Sequence, residues 1–140
     1  MNDNEPAHDP LPDEDQVDLF LNGHCAAFAY GAWIALGNPT NVGISVLLDD
    51  DGEPNTDDGR RLIHAFLSSP SYDIDARGLR SPAQMAEEYG LCAFSIDGPF
   101  PPPIFKAIFC GHDGPFECED HMVTMAVDFV QRNLRLPLAA

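Results

Sequence analysis

The chain has 140 residues, enough for one domain, and 44% of them are apolar, enough for a core. It carries 23 acidic and 7 basic residues, a formal net charge of −16. That balance excludes direct binding to a phosphate backbone, which needs clustered Lys and Arg, and it disfavours anionic membranes. What remains is a solvated surface or a basic partner.

The start, Met1-Asn2-Asp3-Asn4-Glu5, is acidic and lacks the apolar run of a secretory signal, and no stretch is long enough to span a bilayer. Four cysteines do not make a dense disulfide framework at this length, so a cytoplasmic, reduced protein is expected. Residues 1–14, rich in Pro, Asp and Glu, read as a disordered acidic lead, and residues 15–136 as a single domain. A short helix is predicted from Asp15 to Leu21, capped by Asp13 and broken by Gly23. The next helix, from about His24 to Leu36, is apolar nearly all round and therefore belongs inside. Gly37-Asn38-Pro39 stops it.

Residues 42–48 follow as a buried strand, then an acidic loop from Asp49 to Arg60. Its run Asp49-Asp50-Asp51-Gly52-Glu53 lacks the ordered alternation of a calcium-binding loop and reads as solvated. Leu62 to Ser68 and Tyr72 to Arg77 are predicted to pair as a hairpin. Ser81-Pro82 opens a helix that ends at Gly90. Leu91 to Ile96 reads as a strand, and residues 98–103 as a stiff proline-rich connection. Ile104 to Cys110 fits a strand or a short helix equally well, and a last helix runs from near Pro115 to about Leu134. The expected class is α+β, with helices packed on a small antiparallel sheet.

Chemistry concentrates at Cys25. It opens a helix, where unpaired N–H groups and the helix dipole favour a thiolate. A thiolate nucleophile needs a base, and the base needs an orienting acceptor. Strand alternation puts His64, Phe66 and Ser68 on one face and Asp73, Asp75 and Arg77 on one face of the paired strand, and a short hairpin can bring His64 near Asp75 or Asp73. Asp75, further from the turn than Asp73, is the orienting residue of choice. The backbone N–H of Cys25, with a side-chain amide from Asn22 or Gln16, would complete an oxyanion hole.

Asn22-Gly23-His24-Cys25-Ala26-Ala27-Phe28-Ala29, followed by Ala35-Leu36-Gly37-Asn38-Pro39, resembles the nucleophile helix of transglutaminase-like and papain-like cysteine enzymes. His64-Ala65-Phe66 and Tyr72-Asp73-Ile74-Asp75-Ala76-Arg77-Gly78 are similar to the His and Asp strands of that superfamily. The resemblance covers about residues 20–80. It implies a papain-like core with Cys25 as nucleophile, His64 as base and Asp75 as orienter.

A rival cluster lies at Cys110, His112, Cys118 and His121, two thiols and two imidazoles of the kind zinc accepts, though without a paired C-x-x-C knuckle. No cofactor or metal is expected to be required. The functional expectation is a small cysteine hydrolase or acyl-transfer enzyme acting on an amide, ester or thioester of a peptide or protein, one of basic character. The alternative is a non-catalytic acidic module that occupies a basic groove as a nucleic-acid mimic does.

Overall fold

The computed structural model describes residues 13–55, 59–110 and 116–133. Residues 1–12 of the acidic lead lie outside them, as does His112. The described residues form α1 (Asp13–Leu21), α2 (Cys25–Ala35), β1 (Gly43–Asp49), β2 (Leu62–Ser68), β3 (Asp73–Asp75), β4 (Gly78–Leu79), α3 (Pro82–Glu88), β5 (Phe94–Phe100), α4 (Pro102–Phe109) and α5 (Asp120–Asn133). The strands make one antiparallel sheet in the order β4-β3-β2-β1-β5. The molecule is therefore α+β, and no helix among the described residues is long and apolar enough to cross a membrane.

The two faces of the sheet are covered unequally. Ile44, Val46, Ala65, Leu67 and Ile74 join the main core, built with α1, α2, α4 and α5. Its centre is a cluster of Phe20, Phe28 and Phe129, with ring centroids 5.2 to 6.0 Å apart. The other face carries Leu47 and Phe66 against Met85 and Ala86 of α3. Helix α2 lies so close to α5 that a Cβ on Gly31 would come within 2.6 Å of Ala126 Cβ and 2.8 Å of the Val123 carbonyl. Glycine is what permits this contact.

Several boundaries differ from the expectations. Asp13 is the first residue of α1 rather than its cap. Residues 98–100, expected in a proline-rich connection, continue β5, and Pro102 and Pro103 open α4, where the missing N–H groups cost nothing. Proline is tolerated in β5 because that strand is at the sheet edge. The last helix begins at Asp120 rather than near Pro115, because Phe116 turns inward onto Phe105 and Phe109 and its N–H donates to the Phe109 carbonyl at 3.0 Å. The short strand β4, which pairs Ile74 with Leu79, was not expected. Helix α3 starts as expected at Ser81, with a full capping box. The Ser81 hydroxyl accepts from Gln84 N–H, and the Gln84 side chain accepts from Ser81 N–H.

Candidate active site

Cys25 is the first residue of α2, and the chain reaches it through Gly23, whose φ of +115° an L-residue rarely adopts. Its sulfur accepts a hydrogen bond of 3.3 Å from the backbone N–H of Ala65, in the middle of β2. Strand β3 pairs with β2 only through Leu67↔Ile74 and Ser68↔Asp73, so the ladder stops before it reaches Ala65. Cys25 takes the place of the missing strand partner. The thiol thus sits at the seam where β3 parts from β2.

His64 precedes Ala65 and, by alternation, projects from the opposite face, stacked on Phe66 with ring centroids 6.4 Å apart. The seam is what brings the two side chains near each other, for the Cys25 sulfur is held on the backbone N–H of the residue next to His64. Asp75, the last residue of β3, lies on the His64 face, with Oδ2 3.1 Å from Nε2. All three are buried: Cys25 is 4% exposed, His64 1% and Asp75 0%.

The protonation state follows from the partners. Tyr89, the C-cap of α3, donates its hydroxyl proton to the Leu21 carbonyl at 2.7 Å. Its oxygen then accepts from His64 Nδ1 at 3.0 Å. With Nδ1 donating to tyrosine and Nε2 donating to a carboxylate, the ring carries both protons. Burial alone disfavours that cation. The hydrogen bond to the Asp75 carboxylate, its negative charge and the nearby Cys25 sulfur outweigh it, so His64 is pushed up to about 9. Burial likewise opposes the Asp75 carboxylate, but bonds to His64 and Arg77 bring it down to about 2.

Sequence reasoning missed the rest of this network. The structure gives Arg77 two bonds to the Asp75 carboxylate, Nη2 to Oδ2 and backbone N–H to Oδ1, each 2.9 Å. Nη1 of Arg77 pairs with Glu88 at 3.0 Å, and its guanidinium lies 5.6 Å from the Tyr89 ring centre. Spacing two residues after Asp75 is a usable signal for Arg77. Tyr89 has none, because only the end of α3 delivers it. Burial pushes the Tyr89 hydroxyl up, which keeps it a neutral bridge.

The two amides proposed for the oxyanion hole lie elsewhere. Asn22 is exposed and its Nδ2 donates to the Asp18 carbonyl at 3.0 Å, so it completes α1. Gln16 is fully buried, and its Oε1 accepts from Arg132 of α5 at 3.4 Å. The first-turn N–H groups of α2 are the donors left at Cys25. A groove of about 360 Å³ lined by Trp33, Asn38, Pro99, Phe100 and Pro103 sits at the far end of α2, and none of Cys25, His64 or Asp75 lines it.

The C-terminal cluster divides. The Cys110 and Cys118 thiols influence each other, the one pushed up and the other lowered by their proximity. His121 does not join them in a ligand set among the described residues. Comparison of the chain with protein-family models, with curated proteins and with solved structures finds no match.

Proposed function

We propose that the chain is a cysteine-dependent hydrolase or acyl-transfer enzyme of papain-like or transglutaminase-like type. The observation that carries the reading is the convergence of Cys25, His64 and Asp75 from three elements onto one buried, charge-compensated cluster. In this reading the Cys25 thiolate attacks an acyl carbonyl, and the carbonyl electron pair moves to oxygen beside the first-turn N–H groups of α2. The adduct collapses, expelling an amine, alkoxide or thiolate that takes its proton from His64 Nδ1. A thioester on Cys25 remains. Water, deprotonated by the now neutral His64, cleaves it to the acid; an amine in place of water gives acyl transfer. Asp75 holds the ring throughout. Tyr89 must release Nδ1 for the proton to reach the leaving group, so the structure is a closed form of this site. The net charge of −16 supports a basic peptide or protein as substrate.

The test is brief exposure of the folded protein to p-nitrophenyl acetate, followed by mapping of the acetyl adduct. The expected result is a hydroxylamine-labile acetyl group on Cys25, absent in His64→Ala. Acetylation confined to exposed Cys92, or unaffected by His64→Ala, overturns the reading. One observation favours a second reading, an acidic binding module without turnover: both ring nitrogens of His64 are already engaged. That module would capture a basic partner in a salt-sensitive manner, and Cys25→Ala would leave the capture unchanged.

A further inference from the structure

His24, the residue before Cys25, has no part in the network above. Its Nδ1 is buried and has no hydrogen-bond partner. Buried polar atoms are nearly always paired, so an orphan calls for a missing partner, such as an ion. Two carboxylates stand beside this imidazole. One ligand atom from each of His24, Glu117 and Glu119 lies within 4.8 Å of the others. None of the described Lys or Arg side chains pairs with either glutamate. Two carboxylates and an imidazole with one unpartnered nitrogen are therefore gathered with no cation paired to the acids among the described residues.

We propose that His24, Glu117 and Glu119 form a binding site for a divalent transition-metal ion, for which zinc is the probe. One imidazole and two carboxylates are a three-ligand set that leaves a fourth tetrahedral position to water. Calcium and magnesium are poor fits, because both prefer all-oxygen shells of six or more ligands. Bonds of about 2.0 Å in a tetrahedron put ligand atoms about 3.3 Å apart. The three ligand atoms lie within 4.8 Å of one another, and rotation of the two exposed glutamate side chains supplies whatever closure is needed. The ion would tie the segment between Phe116 and α5 to the start of α2. It would also set a positive charge one residue from Cys25. The site does not depend on Cys25 being a nucleophile.

The experiment is calorimetric titration of the chelator-treated full chain with zinc chloride, with melting temperature followed in parallel. One zinc per chain and a rise in melting temperature are expected. Glu117→Gln and Glu119→Gln, both at exposed positions, should each weaken binding by at least about tenfold, since even outer-shell changes cost 10–100-fold. Cys25→Ser should bind as the wild type does. No binding overturns the proposal. So does binding that survives Glu117→Gln and Glu119→Gln but is lost in a Cys110→Ser/Cys118→Ser double variant, which would place the ion on the thiol pair.

Discussion

Two histidines border the start of α2, and the fold treats them oppositely. His64 is drawn into the interior with a partner for each nitrogen, a carboxylate on one side and a tyrosine hydroxyl on the other. His24 stays half-buried, with Nδ1 unpartnered and two acids nearby. The difference shows what a polar group needs in order to be buried. Asp75 compensates His64, which holds a cation in the core. Among the described residues nothing bonds His24 Nδ1, which leaves it open to something from outside.

The comparison is broken most severely by removing the carboxylate. Asp75→Ala leaves His64 and Arg77 without their shared anion. Loss of one partner of a buried ion pair costs about 3–5 kcal/mol, to be read from urea unfolding. A loss below about 1 kcal/mol would mean that water reaches the pair and that the network is not the sealed one described.

Changing pH strips the same interaction without mutation. His64 is above its ordinary 6.5 when folded, so its contribution is complete below pH 6.5 and is lost as pH rises through about 9. Asp75 is below its ordinary 3.8, so its contribution is complete above pH 3.8 and is lost as pH falls toward about 2. Both shifts describe largely one ion pair and are not summed. Asp75 and Tyr89 bond the ring and Cys25 lies close by on Ala65 N–H, with Arg77 and Glu88 behind them. Stability should be flat from about pH 4 to 6.5 and fall by up to about 3 kcal/mol by pH 9.5, at 1.36 kcal/mol per unit. His64→Gln should remove this component of the fall.

Tyr89→Phe sharpens the contrast by orphaning one nitrogen of His64, making it resemble His24. The ring stays, but the Leu21 carbonyl and His64 Nδ1 lose their bridge. The expected cost is about 1–3 kcal/mol by thermal or urea unfolding, accompanied by faster alkylation of Cys25 as the ring is released. The smallest effect belongs to His24→Ala in metal-free solution. With Nδ1 unpartnered among the described residues, it should change stability by no more than about 0.5 kcal/mol.

Much of the fold was legible because its signals are local. Ser81-Pro82 with Gln84 marks a helix start by capping chemistry alone. The apolar start of α2 reads as internal, and Cys25 to Ala29, Gly31 and Ala32 are buried while Trp33, Ile34 and Ala35 are half-buried. Period-two alternation across a short hairpin put His64 near Asp75, and the register of β2 with β3 realises it. What was illegible depends on distant chain. Tyr89 joins His64 only because α3 ends over β2. The prolines of residues 99–103 read as breakers, yet an edge strand and a helix start are the places that accept them. The His24, Glu117 and Glu119 cluster is assembled across more than ninety positions of sequence, so no spacing rule could find it.

Competitive alkylation tests the central claim most directly. The folded chain is treated with limiting iodoacetamide at neutral pH, and each cysteine is quantified by peptide mass spectrometry. Cys92 is exposed and Cys25 is buried, so access alone ranks Cys92 first. A thiol activated by His64 and Asp75 reverses the order. Cys25 should react ahead of Cys92, Cys110 and Cys118, and His64→Ala should abolish its lead. Labelling of Cys92 first, with Cys25 reached only when the protein is unfolded, would contradict the account.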